Sequence, residues 1–135
     1  MFTGLIESVC KVNSAVSRAG GIKLQINIGQ TVKNGESIAV NGVCLTVTGQ
    51  QGDKTEFDVS GETLSKTTIG SLRPGVMVNI ERAIAADGRF GGHFVQGHID
   101  AVGKVKKIER QGEFWLFVFI GLGLVWLGMR LPVFV

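Results

Sequence analysis

The 135-residue sequence has no tyrosine, two prolines, two cysteines and two histidines. Each scarcity narrows what the chain can be. Neither Cys10 nor Cys44 has a second cysteine or a histidine within motif distance, which excludes a zinc site by spacing. The opening residues lack the pattern of a secretory leader, so a reducing cytoplasm with free thiols is expected. Eleven acidic residues are scattered singly, and neither a paired-carboxylate nor a Ser-His-Asp arrangement can be argued from their spacing. No Gly-Lys-Ser/Thr and no GxGxxG is present, which removes the usual phosphate cradles. An imbalance of charge is missing too: residues 1–103 carry nine basic and nine acidic side chains, and the net +3 arises entirely in residues 104–135. No nucleic-acid partner is expected from a neutral body with one short basic run, KVKKIER at 104–110.

Abundant glycine, valine, isoleucine and threonine favour short strands joined by tight turns over long helices. Residues 4–12 have strand composition. Ile22, Leu24, Ile26 and Ile28 alternate after Gly20-Gly21, as in a half-buried strand. Asn41-Gly42 divides two runs of strand formers and supplies the positive φ angles of a type I′ hairpin. Further turns are expected at Gln51-Gly52-Asp53 and Pro74-Gly75, with a short helix in GETLSKTT capped by Ser60 and a returning strand in VMVNIERA. Strands this short and evenly spaced predict an all-β closed barrel or sandwich.

Sliding the chain by 93 residues lays TGLIESVCKV at 3–12 on QGHIDAVGKV at 96–105. With one single-residue slip the match continues through Arg18, Gly20 and Leu24 against Arg110, Gly112 and Leu116. An internal repeat is the reading, with a first domain over 1–97 and a second, cut-short copy over 98–135 that turns aberrant and apolar from about residue 118. Residues 114–135 hold six of the ten aromatic residues and one charge. A membrane anchor is disfavoured, because the uncharged run Phe114–Met129 has 16 residues, against the roughly 20 a spanning helix needs. Phe114–Phe119 is instead expected to be the second strand of the repeat.

Cys44 stands three residues past Asn41 on a strand, with Thr46 alternating onto the same face. Buried cysteine beside apolar neighbours is usually inert packing, and Cys10 has nothing to raise it above that. The run GRFGGHFVQGHID places His93 and His98 among glycines that let a backbone approach a ligand closely. Two histidines five apart on irregular backbone make a poor metal pair, and no metal is expected.

These segments carry a family resemblance. MFTGLIE, ESIAVNGVCLTV, FDVSGETLSKTTIGSL, GVMVNIERA and GRFGGHFVQGHID occur in the order of the lumazine-binding repeat, and the chain resembles the alpha-chain type of the riboflavin synthase family over residues 1 to about 117. The resemblance implies a six-stranded antiparallel Greek-key barrel with one short helix, present twice in a full-length chain, and a C-terminal helix that helps to assemble a trimer. It implies dismutation of two molecules of 6,7-dimethyl-8-ribityllumazine to riboflavin and a ribitylamino-pyrimidinedione, without a metal or redox cofactor. Carried onto this sequence, the substrate-binding positions are Gly4, Leu5 and Ile6; Cys44, Leu45 and Thr46; Asp58, Val59, Ser60, Gly61, Glu62 and Thr63; and Gly97, His98 and Ile99, all around one barrel mouth. Phe2 and Thr3 match the pair that closes over the bound rings, and Cys44 and His98 are the candidates for nucleophilic or proton-transfer help. A non-catalytic single-barrel lumazine or flavin carrier is the alternative function. Pairing of barrels through the apolar tail is the alternative assembly.

Overall fold

The structure, a computed structural model, describes residues 1–85, 87–88, 91–121 and, as backbone, 124–132. Arg89 and Phe90 of the glycine-rich run and residues 133–135 of the apolar tail lie outside the described residues. The chain divides into two compact units, Met1–Ile99 and Asp100–Val135.

The first unit is a closed antiparallel barrel of six strands: β1 (Ser8–Arg18), β2 (Gly21–Asn27), β3 (Ser37–Val40), β4 (Val43–Gln51), β5 (Lys54–Ser60) and β6 (Met77–Arg82). Their order around the barrel is β1-β2-β5-β4-β3-β6, so the chain crosses from β2 to β3 before β4 and β5 fill the gap, in Greek-key fashion. Closure leaves no strand unpaired along the whole of one edge. Alternate residues point inward, and Leu24, Ile26, Ile38 and Phe57 are fully buried together with Val12, Val40, Val47, Val78 and Ile80. The helix α1 (Gly61–Lys66) follows β5, and its N-terminus is capped by Ser60 Oγ, which accepts from the Thr63 amide at 3.2 Å. A 3-10 turn over Thr68–Ser71 then adds Ile69 to the core.

Several turn expectations hold. Asn41 and Gly42 have φ of 48° and 82°, as the two central residues of a type I′ turn require, and Asn41 Oδ1 accepts from the Asn79 amide at 2.8 Å. Gly52 and Gly75 also have positive φ. One boundary differs: the strand expected over residues 4–12 starts only at Ser8, because Gly4 turns at φ 84° and the backbone before it is drawn to the Glu81 carboxylate.

On the outer wall of β1, β2 and β5 a polar ladder runs from Asn13 and Ser14 to Gln25, and from Gln25 and Lys23 to Glu56. The hydrogen bond from Lys23, at 2.9 Å, is the main cause holding the Glu56 carboxyl below its ordinary range, with a second from Gln25. A carboxyl depressed by folding stabilises the native state above its unfolded pKa of about 4.3 and loses that contribution as pH falls through the lower folded value. Acid titration of Glu56→Gln against the parent chain is therefore expected to show the two stabilities converging below pH ~4. A constant difference down to pH 2 would remove the ion pair as its cause.

The second unit is a three-stranded antiparallel sheet of β7 (Lys104–Gln111), β8 (Phe114–Gly121) and β9 (Leu124–Pro132), in the order β7-β8-β9. Its first hairpin reproduces the β1–β2 hairpin pair for pair. Val12↔Ile26, Ser14↔Gln25 and Arg18↔Gly21 become Val105↔Phe119, Lys107↔Val118 and Gln111↔Phe114, with the register shift at the same place in both. The offset of 93 therefore holds throughout, and the single-residue slip expected from the sequence is not present. What moves is the glycine: Gly20 is the second residue of its two-residue turn and Gly112 the first of the equivalent one, each with positive φ. Phe114–Phe119 lies in a strand as expected, and the apolar stretch after it continues as β9 against β8. Among the described residues no helix is long and apolar enough to cross a membrane.

Candidate functional site

Strand β4 pairs with β3 along its first half, Ser37↔Thr46 and Ala39↔Cys44, and with β5 along its second half, beginning at Val47↔Phe57. Strand β5 meanwhile stays paired with β2 to its end, Lys23↔Asp58 and Gly21↔Ser60. The first half of β4 and the last residues of β5 thus lie beyond the recorded β4–β5 ladder. Continuing the register would set Thr46 beside Asp58 and Cys44 beside Ser60. The main cluster of candidate residues, Cys44, Leu45, Thr46 and Asp58 to Thr63, borders this opening.

Side-chain parity decides which way these residues face. Leu45, Val47, Phe57 and Val59 are buried in the barrel, whereas Thr46, Asp58 and Ser60 are exposed and Cys44 is half-buried. The expected single mouth is therefore corrected: Cys44, Thr46, Asp58 and Ser60 stand on the outer wall, and Leu45 and Val59 shape it from beneath. The same parity brings Ser37 onto the row of Thr46, a neighbour with no local signal.

The Gly97 turn closes one side of the opening. The Cys44 amide donates to the Gly97 carbonyl at 2.8 Å, so Cys44 directs its backbone away from β3 and toward the gap. Two positions on, Thr46 has its backbone aimed the same way. Gly97 is buried with φ 77°, and a Cβ there would lie 2.9 Å from Cys44 Cβ and 3.0 Å from its amide nitrogen. His98 and Ile99 follow as exposed side chains. At the far side, Asp58, Val59 and Ser60 share a cavity of about 420 Å³ with the β1–β2 turn at Arg18–Lys23. The α1 residues are partly occupied locally: Ser60 Oγ lies 3.1 Å from Thr63 Oγ1, and the Lys66 ammonium, 2.8 Å away, holds the Glu62 carboxyl below its ordinary range.

The N-terminal candidates form a separate strap on the same wall. Glu81 on β6 is paired with Ala39, which is paired in turn with Cys44, so these residues form one outward row across three strands. The strap crosses that row at Glu81, whose carboxylate accepts from the Thr3 amide at 2.6 Å, Thr3 Oγ1 at 2.8 Å and the Gly4 amide at 3.1 Å. Phe2 is buried and exchanges backbone hydrogen bonds with Val95. Leu5 and Ile6 remain exposed, with Leu5 lining a cavity of about 720 Å³ together with Thr3, Ser37, Glu81 and Ile84. Glu81 was missed by sequence reasoning; an acidic residue at an outward strand position carries no signal of burial when the segment that covers it lies far away in the chain.

The two cysteines differ in exposure. Both are free, but Cys10 is buried beneath the wall and near Ser8 Oγ at 3.4 Å, while Cys44 is half-open to the gap. Among the described residues no three His, Cys, Asp or Glu side chains converge as metal ligands would.

Known proteins resemble this chain in sequence and fold. The riboflavin synthase of Actinobacillus pleuropneumoniae is 47% identical over 111 residues, covering 80% of this chain and 52% of its own length. That of Bacillus subtilis is 42% identical over 116 residues, covering 84% and 54%. The chain thus spans about half the length of the curated relatives it matches. Among solved structures, LumP complexed with 6,7-dimethyl-8-(1′-D-ribityl) lumazine superposes with a TM-score of 0.80 at 21% identity, over 98% of this chain and 87% of that one. LumP complexed with flavin mononucleotide gives 0.76 at 26% identity, over 92% and 72%. The lumazine binding domain family matches residues 3–83, more than half of the sequence, and to that family the chain belongs.

Proposed function

We propose that the outer wall between β4 and β5 binds 6,7-dimethyl-8-ribityllumazine, and that the chain carries out the riboflavin synthase reaction as part of a larger assembly of barrels. The observation that carries this reading is the opened β4–β5 ladder with Gly97 docked on Cys44. A flat heteroaromatic ring needs hydrogen-bonding groups at its edge, and the backbone of β4 is directed there; the ribityl chain needs hydroxyls and amides, which Thr46, Ser60 and Thr63 supply. Catalysis transfers a four-carbon unit from one lumazine to another, giving riboflavin and a ribitylamino-pyrimidinedione. It starts from an acidic methyl group on the ring, so the protein's work is to orient two rings and move protons. Cys44 and His98 are the candidates for that step, with the strap of Phe2 and Thr3 alongside.

Two rings need two barrels. By the offset of 93, Gly4, Leu5 and Ile6 are the counterparts of Gly97, His98 and Ile99. Gly97 docks against Cys44 of its own unit, so the corresponding role of Gly4–Ile6 is to serve a further barrel, of the same chain's second repeat or of another copy in a homo-oligomer. The hairpin of β7 and β8 is read as the start of that second repeat.

Incubating the purified chain with the lumazine and following riboflavin fluorescence tests the reading. Binding with product formation supports it, and absence of binding at millimolar lumazine refutes it. Binding without product favours the second reading, a non-catalytic carrier, which rests on the likeness to flavin-complexed LumP at 26% identity. Cys44→Ser is expected to weaken turnover or binding about tenfold, and Cys10→Ser to leave both near the parent level. Equal, negligible effects of the two changes would remove Cys44 from the site.

A further inference from the structure

We propose that Glu81 is a positioning residue whose carboxylate latches the N-terminal strap and, through it, sets the Gly97 turn against Cys44. The inference rests on the lumazine-binding reading of that wall and adds a residue that does not touch the ligand. Glu81 is 5% exposed, an unusual state for a carboxylate unless its oxygens are satisfied. Its partners are two successive backbone amides and a hydroxyl of Thr3 and Gly4, contributed from 77 and 78 positions away in the chain. Hydrogen bonds to a charged acceptor are among the stronger ones, so this contact fixes where the strap lies.

From the latch the connection to the site is short and continuous. The Thr3 carbonyl accepts from the His93 amide at 3.2 Å, and Phe2 and Val95 exchange bonds of 2.8 and 3.0 Å. Two residues after Val95 comes Gly97, whose carbonyl holds the Cys44 amide. On its other flank the strap is tied to β6 and its continuation, the Ile84 amide donating to the Met1 carbonyl and the Glu7 amide to the Ile80 carbonyl. Strap and turn are thus one backbone-bonded layer over the outer row, and Glu81 is its side-chain anchor. Gly92 provides an independent handle, because a Cβ there would meet the Thr3 carbonyl oxygen at 2.5 Å and push the strap away without altering Glu81.

Three single variants of the 135-residue chain and one double variant test this by lumazine titration and by amide hydrogen exchange. Glu81→Leu removes every acceptor and is expected to raise the dissociation constant about tenfold. It should also speed exchange at Thr3, Gly4, Val95 and Cys44 while the core amides of Leu24 and Phe57 stay protected. Glu81→Gln keeps one carbonyl oxygen where three of the bonds converge and is expected to recover most of the affinity. Gly92→Ala should reproduce the Glu81→Leu pattern, and the pair combined should lose little more than either alone, as perturbations of one element do. Unchanged exchange at Cys44 in Glu81→Leu would overturn the latch, as would losses that multiply in the double variant or a Gln variant as impaired as Leu. If Leu24 and Phe57 lose protection in Glu81→Leu, Gly92→Ala alone decides. A parent chain that binds no lumazine would refute the functional reading, while the exchange pattern would still test the latch.

Discussion

Gly97→Ala is expected to weaken lumazine binding about 100-fold and to detach the turn that closes the β4–β5 opening. Two separate costs meet at this position. An L side chain at φ 77° faces the steric penalty of the left-handed region, roughly 1–2 kcal/mol. The new Cβ would also press on Cys44 at 2.9 and 3.0 Å, against its backbone and first side-chain carbon, neither of which can swing aside. Relieving the contact means lengthening the Cys44–Gly97 hydrogen bond, the one that aims β4 at the gap. Gly42→Ala separates the two costs: Gly42 has φ 82° but nothing within 4 Å of its Cβ position, so it should lose stability with little change in affinity. Titrations of both variants check this, and a Gly97→Ala chain that binds like the parent would disconnect the turn from the site.

The largest effect on stability is expected at Phe57. Its ring is fully buried, and its strand position is paired with Leu24 on one side and Val47 on the other, at the last recorded rung before β4 and β5 part. Phe57→Ala is expected to cost about 3–5 kcal/mol through lost burial and a residual cavity. Against a domain stability of roughly 5–15 kcal/mol that is a large share of the total, and at the lower end of the range it unfolds a large fraction of the chains. A thermal melt should fall by about 12 °C or more. A fall under 4 °C would mean that the barrel collapses around the missing ring.

Much of the barrel was legible because its signals are local. Asn41-Gly42, Gly52 and Pro74-Gly75 mark turns through backbone conformations few residues adopt, and Leu24 and Ile26 show their inward face by alternation. The helix start at Ser60 is equally local. The site was less legible, since Cys44 and Gly97 come together only through closure of the whole barrel. Parity predicted that Cys44 and Thr46 share a face, but whether that face was inside or out depended on partners distant in sequence. The anchor at Glu81 and the outward row through Ala39 could not be read at all. The repeat was visible from identities in register, yet the slip it seemed to need came from a glycine that changes its place in the turn, which the alignment of letters followed and the strand pairing did not.

Because the wall proposed to bind the ligand is the outside of the barrel, β4 carries two instructions written on alternate residues. Val43, Leu45 and Val47 are buried in the core, and Cys44 and Thr46 face the proposed site. The two sets face opposite sides of one strand. They cannot survive a change in spacing. A single residue inserted between Gly42 and Val43 would exchange them, turning a thiol and a hydroxyl into the core and three aliphatic side chains out to the proposed site, so folding and any binding there would fail in the same step.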